Sequence, residues 1–326
     1  MYEIAQLFFC TLFDKNYLIK GIVMLRSLVL HCSCARIYVL CMDEETYNLL
    51  GRIEIPGVIR VRLSEVENDE LLSVKSERSQ AEYCWTLTAF FTWYVMDTHR
   101  EIDAITYLDS DLMFYSSLEP LFEEIGGASI AIIEHRCSPR LAHLEVHGRF
   151  NVGWVGFRRD MEGMSCLATW RDQCLEWCYA RIEENRMGDQ KYLDSWPATY
   201  KSVHIIQHAG AGVAPWNYPN YNIENDNGCI TIDNVPLIFY HFHQLQILEG
   251  GRFDRLSSVY RQDGDAPEVI YRLYEENLTK ALHDVRSISP KFTSGLRSSF
   301  YIFARRMIQN NLPLVVKSSM RRFIRP

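Results

Sequence analysis

The chain has 326 residues, 48% of them hydrophobic and 13% aromatic, and a formal net charge of −7. That composition suits one large or two modest globular domains and excludes a disordered chain. An acidic body argues against non-specific nucleic-acid binding, and no run of eighteen apolar residues reads as a membrane-spanning helix.

The first elements alternate. Residues 4–13 (IAQLFFCTLF) read as a buried strand, and the turn Asp14-Lys15-Asn16-Tyr17 breaks it. Leu18–His31 follows as a helix with Ile22, Leu25, Leu28 and Val29 on one face. Arg36–Met42 is the next strand, Asp43 caps a short helix, and Val58–Leu63 is a third strand. This order favours a parallel sheet with right-handed crossovers, whose ligands bind beyond the carboxyl ends of the strands. The loop Thr11–Tyr17 leaves strand one at that edge. Residues 64–80 are polar, a loop or short helix, and 82–96 (EYCWTLTAFFTWYVM) read as a helix buried on all sides. Arg78, just before it, is a candidate phosphate contact set against an ordinary polar-loop arginine.

Residues 102–115 (IDAITYLDSDLMFY) carry the strongest chemical signal. Asp109 and Asp111 stand one residue apart at the end of a buried strand, so their side chains point the same way. Like charges that close in a dry site are costly unless a cation lies between them, which points to a divalent metal. The plain alternative is that both simply end a strand, as Asp does in turns. Leu118–Ile125 reads as a short helix, Ser129–Glu134 as a strand, and His135–Arg149 as a loop. In the strand Phe150–Phe157 (FNVGWVGF), Gly153 and Gly156 permit close backbone approach. Cys166–Arg181 reads as an amphipathic helix, and Asp189 and Gln190 stand near the start of a short one, where they also suit capping. His204–His208 is a short strand, Ala214–Asn222 (APWNYPNYN) an aromatic turn, and Pro236–His243 a last strand ending in two histidines. No glycine-rich phosphate loop occurs, so cations must neutralise any bound phosphate. His241 or His243 is a candidate third ligand, against the reading of a structural strand histidine.

The chain resembles the GT-A glycosyltransferases, most nearly the family 8-like group of bacterial lipooligosaccharide galactosyltransferases and glycogenin. The matching pieces occur in family order: CTLFDKNY (10–17), YLDSD (107–111), FNVGWVGF (150–157), GDQKYL (188–193) and YHFH (240–243). The resemblance implies an α/β fold with a Rossmann-like nucleotide-binding mixed sheet flanked by helices. It implies that Asp109 and Asp111, with Ser110 between them, hold Mn²⁺ or Mg²⁺ against a nucleotide-sugar diphosphate, with His241 as third ligand. Thr11, Asn16 and Tyr17 would line the uracil and ribose pocket, and Asn151 would lie near the donor sugar. Asp189 and Gln190 would flank the anomeric carbon, and Trp216 and Asn217 would form the acceptor platform. The family's closing Lys-Pro-Trp is absent, which leaves the cation facing the diphosphate among His243, Arg252 and Arg78.

The expected activity is a metal-dependent, retaining transfer from a UDP-linked donor to a surface-glycan or lipid-linked glycan acceptor of the lipopolysaccharide, O-antigen or capsule type. A sugar-phosphate nucleotidyltransferase and a non-catalytic glycan-binding protein stand as alternatives. Residues 1–285 are expected to form the catalytic domain, nucleotide-binding to about 115 and acceptor-binding from about 116. Residues 285–326 carry nine Lys and Arg and no Asp or Glu, which leaves −16 on the first 284. Leu296, Phe300, Phe303 and Met307, then Val316, Met320 and Phe323, fall at helical spacing among those cations. This 286–326 tail suits either an anionic membrane interface or packing on the domain. The ten cysteines lack a disulfide framework, though Cys32/Cys34 and Cys174/Cys178 are pairs. With no basic leader at Met1-Tyr2-Glu3-Ile4, the expectation is a cytoplasmic protein peripheral on the inner membrane face.

Overall fold

The computed structural model describes residues 6–261, 264–298 and 300. Strand β1 (Leu7–Phe13) is followed by α1 (Leu18–His31), β2 (Ala35–Cys41), α2 (Glu44–Leu50) and β3 (Val58–Arg62). The polar stretch folds as α3 (Leu63–Val66) and α4 (Asp69–Lys75), and α5 (Gln80–Thr98) comes next. Then come β4 (Ala104–Leu108), β5 (Leu112–Phe114), α6 (Glu119–Ile125), β6 (Ile130–Glu134), β7 (Phe150–Arg158) and α7 (Met161–Glu176). The chain continues through α8 (Trp196–Thr199), β8 (Val203–Ile206), and the small antiparallel group β9 (Ile223–Asp226), β10 (Cys229–Ile232) and β11 (Val235–Pro236). It closes with β12 (Phe239–His241), β13 (Gln246–Leu248), β14 (Arg252–Asp254), α9 (Glu268–Ile288) and β15 (Leu296–Arg297).

The main sheet has the order β3-β2-β1-β4-β7-β6-β8. Pairs β3–β2, β2–β1, β1–β4 and β6–β8 are parallel, while β7 runs antiparallel to both β4 and β6. Side-chain alternation sorts the strands between two cores. Phe9 and Phe13 of β1, with Ile37 and Val39 of β2, pack with α1 and α9 on one side. Cys10 and Leu12, with Tyr38 and Leu40, pack with α5 and α7 on the other. The architecture is the expected α/β mixed sheet between helical layers.

Differences from the sequence reading have local causes. Helix α7 begins at Met161 rather than near Cys166, because the Asp160 carboxylate caps it by accepting from the Gly163 backbone N–H. The last strand shortens to Phe239–His241, and three short strands follow it. Leu296, placed at helical spacing, instead lies in β15, paired in parallel with Ile247 of β13. Arg286 donates to the Phe292 carbonyl at 3.2 Å and Phe292 is buried, so the described body runs past residue 285 to Ser298. Phe303, Met307, Val316, Met320 and Phe323 lie outside the described residues.

Arg78 does not take the expected phosphate position. Its guanidinium donates to the carbonyls of Cys174 (2.7 Å) and Leu175 (2.5 Å) and to the Thr86 hydroxyl, clamping α5 against the end of α7. It is 7% exposed, and its Nη1 and Nη2 donors are spent on the protein, while Nε is buried without a partner. Arg78→Ala is expected to lower stability by about 2–4 kcal/mol in denaturant unfolding, because it strands buried carbonyls. A phosphate contact would instead weaken donor binding at unchanged stability.

Candidate active site

The site forms where β4 ends. Asp109, Ser110 and Asp111 span the step from β4 to β5, which leaves the main sheet to pair antiparallel with β12. That pairing sets Leu112 opposite His241, Met113 opposite Tyr240 and Phe114 opposite Phe239. Backbone bonds lock both margins: Phe242 N–H donates to the Asp111 carbonyl (2.9 Å) and Asp109 N–H to the Gly153 carbonyl (3.2 Å). His241 arrives 130 residues later in the chain with its Nε2 at 3.0 Å from Asp111 Oδ1 and 3.7 Å from Asp109 Oδ2. The three side chains offer ligand atoms that all lie within 4.8 Å of one another. Two carboxylates and one imidazole in that space make a donor set fit for a divalent cation.

Electrostatics fit the crowding. Burial disfavours charge on both Asp111 and His241, yet their attraction wins. Together with Lys20, the imidazole holds Asp111 well below the usual carboxylate range, and Asp111 with Asp109 raises His241 above its ordinary value. Tyr107 donates its hydroxyl to Asp109 Oδ1 at 3.1 Å. Gly153 is needed because a Cβ there would meet Asn151 Oδ1 at 2.5 Å and His241 Nδ1 at 3.0 Å. Asn151 is fixed by that close approach: its Oδ1 accepts from Gly153 N–H (2.9 Å), and its Nδ2 lies 3.2 Å from His135 Nε2.

Asp189 is buried on the other flank. Burial and the charge of Asp109 push its carboxyl up to about 8. Gln190, its neighbour, turns toward the 142–148 loop, with Nε2 at 3.4 Å from the His147 carbonyl. The expected pair therefore separates, one carboxyl beside the acidic cluster and one amide on the loop.

On the β1 side, Thr11 is fully buried, on the same face of the strand as Phe9 and Phe13, and its hydroxyl has no partner. Asn16 donates Nδ2 to Asp14 Oδ2 (2.8 Å) and accepts at Oδ1 from Gly295 N–H (3.3 Å), tying the loop to the turn before β15. Tyr17 is half-exposed, with Lys20 Nζ 4.7 Å from its ring centroid.

Three expected contacts take other roles. His243 stacks edge-on to Trp216 and lies 2.8 Å from the Tyr260 hydroxyl, and burial with the charge of His241 lowers it to about 3. Its ring is taken up by Tyr260 and Trp216 rather than pointing into open space beside the acidic loop. Trp216 is 4% exposed and Asn217 fully buried, which removes both from an acceptor platform. Trp216 sets its edge against His241, and Asn217 holds the loop by donating to the carbonyls of His135 (2.8 Å) and Gly212 (2.9 Å). Arg252 is exposed on β14.

Sequence reasoning missed Lys20, whose Nζ lies 3.9 Å from Asp111 Oδ2 with both side chains 7% exposed. A charged residue among Leu18, Ile19, Gly21 and Ile22, all buried, was the available signal. It also missed Tyr107 and His135.

The family model Glycosyl transferase family 8 matches residues 8–151, from β1 through the acidic loop to Asn151. The uncharacterized protein YfnD of Bacillus subtilis (strain 168) is 36% identical over 291 residues, covering 88% of this chain and 93% of its own. The uncharacterized YfnF of the same organism is 30% identical over 292 residues, covering 87% of this chain and 95% of its own. In fold, the glycosyltransferase GlyE of Streptococcus pneumoniae TIGR4 aligns with a TM-score of 0.50 at 17% identity. That alignment covers 89% of this chain and 65% of GlyE's.

Asp189 generates a pH prediction. A carboxyl that stays protonated in the folded state but ionises near 4 when unfolded makes the native protein bind the extra proton between those values. Its contribution to stability is therefore lost as pH rises from about 4 through about 8. In metal-free protein, Asp189→Asn should flatten that part of the slope in denaturant unfolding at pH 5 and pH 8; an unchanged slope would contradict the burial of a neutral acid there.

Proposed function

The chain belongs to glycosyl transferase family 8, and on that premise we propose that this glycosyltransferase uses a nucleotide-sugar donor, UDP-linked by preference, with Mn²⁺ or Mg²⁺. The acceptor is a bacterial surface-glycan or lipid-linked glycan intermediate, and transfer retains anomeric configuration. The observation that carries this reading is the convergence of Asp109, Asp111 and His241 in one buried cluster at the carboxyl edge of β4.

A bound divalent cation would supply charge to the donor's diphosphate oxygens. Asp109, Asp111 and His241 are the residues that would hold it. Asn16 and Tyr17 stand on the loop at the same sheet edge, where a nucleoside fits, while Thr11 is fully buried in β1 behind that loop. Asn151 and Asp189 flank the acidic pair, and Asp189, kept neutral, can donate a hydrogen bond to a sugar hydroxyl or oxygen. As the anomeric carbon–oxygen bond breaks, its electron pair leaves with the diphosphate. The acceptor hydroxyl forms the new bond from the same face, and its proton passes to the departing phosphate oxygen.

Asp111→Ala should reduce metal-dependent UDP release from the preferred donor by at least about 100-fold, since it removes one of the two carboxylate ligands. A panel of UDP-, GDP- and CDP-sugars, assayed for nucleotide release with and without Mn²⁺, tests donor class and metal dependence together. Near-normal turnover in the variant would sink the metal assignment.

The basic C-terminal segment extends the proposal to an anionic membrane surface, at the cytoplasmic face. No helix of the described residues is long and apolar enough to cross a membrane. Six of the nine cations lie beyond residue 298, each worth about 1 kcal/mol near such a surface. A chain ended after residue 298, which keeps β15, should lose flotation with phosphatidylserine vesicles; full retention would exclude the tail as the anchor.

A further inference from the structure

Three cations considered for the diphosphate are spent or misplaced. Arg78 serves the α7 carbonyls, His243 is held by the Tyr260 hydroxyl and the Trp216 edge, and Arg252 is exposed on β14. Lys20 remains, and its setting has no structural economy. It is 5% exposed in the first turn of α1, whose neighbours on either side are apolar and buried. A methionine would fill that space without the cost of desolvating an ammonium. Its nearest carboxylate, Asp111 Oδ2, is 3.9 Å away, beyond hydrogen-bond distance, so the ion pair only partly offsets burial. The turn that leads into β15 closes over the same loop. Gly295 N–H donates to Asn16, and a Cβ at Gly295 would meet the Asn16 carbonyl at 2.2 Å; burial lowers the Lys20 ammonium, Asp111 pulls against that, and Arg297, two residues on, adds its repulsion.

We propose that Lys20 is the cation that receives the departing nucleoside diphosphate in this chain. The inference rests on the nucleotide-sugar reading above. Two carboxylates cancel the charge of a bound divalent cation, so the acidic cluster alone offers little to a leaving group that gains a negative charge when the sugar–oxygen bond breaks. A fixed ammonium on the Asp111 side supplies the missing positive charge without reorganisation, which is where electrostatic catalysis is strongest. Before donor binds, the same ammonium acts as a partial counter-charge to Asp111. Lys20 thus weakens binding of the bare metal and strengthens binding of the metal with diphosphate.

The experiment is calorimetric titration of wild type, Lys20→Met and Lys20→Arg with UDP plus Mn²⁺, with uridine, and with Mn²⁺ alone, GDP and CDP being run in parallel. Lys20→Met should bind UDP about 10- to 100-fold more weakly, bind uridine within about 2-fold of wild type, and bind Mn²⁺ alone about 2- to 10-fold more tightly. Lys20→Arg, which keeps the charge, should recover most of the UDP affinity. Opposite shifts for metal alone and metal with diphosphate are a signature that a packing role would not give. Equal UDP affinity in wild type and Lys20→Met overturns the assignment, as does a parallel loss of uridine and UDP. Should Lys20→Met fail to fold, Lys20→Gln is read in the same way. If wild type itself binds none of the nucleoside diphosphates with Mn²⁺, the donor reading fails first and takes this inference with it.

Discussion

The short antiparallel pairing of β5 with β12 is the constraint on which the site depends. Three residue pairs join segments 125 to 129 positions apart, and they set His241 against the acidic loop. The loop cannot retreat, because Asp109 and Asp111 are tied through their own backbones to Gly153 and Phe242. Four separate strands thus fix one cluster: β4 and β5 carry the carboxylates, β12 the imidazole, and β7 the glycine that makes room. A site assembled this way has little freedom to reorganise when charge develops, which is what electrostatic stabilisation of a leaving group requires.

The pairing also concentrates charge in a place that water reaches poorly. Asp111 stays ionised only because His241 and Lys20 face it, while Asp189, lacking such a partner and facing the charge of Asp109, takes the neutral form. Two buried carboxyls on either side of Asp109 thereby take opposite protonation states. The division follows from what each one faces, since both are buried.

Legibility in the sequence tracked range of interaction. The strands of the first half, α1 and the Asp109-Ser110-Asp111 motif could be read because alternation, periodicity and the spacing of two carboxylates are local. Helix α7 starts earlier than its amphipathic stretch because the Asp160 cap begins it at Met161, where a Cβ at Gly163 would meet the Arg158 carbonyl at 2.2 Å. Arg78, His243, Trp216 and Asn217 failed differently. Their types suit phosphate or sugar contact, but their roles are set by partners 17 to 97 positions away, such as Leu175, Tyr260 and His135. Lys20 escaped notice for the converse reason: inside an apolar helical run a single lysine reads as a solvated edge, and only the fold turns it toward Asp111.

The orientation of His241 shows how those reassigned aromatics still serve the site. Imidazole ligands are usually held by a hydrogen bond from the second ring nitrogen, yet Nδ1 of His241 is buried and has no partner. Its ring is instead boxed in by edge contacts with Trp216 at 5.2 Å and His243 at 5.8 Å between centroids. His135 and Tyr260 pack in turn on Trp216, and Gly153 leaves just the space that Nδ1 needs. A ring fixed by shape keeps Nε2 aimed at both carboxylates whichever tautomer it adopts, so the third donor stays in position while the charge around it changes.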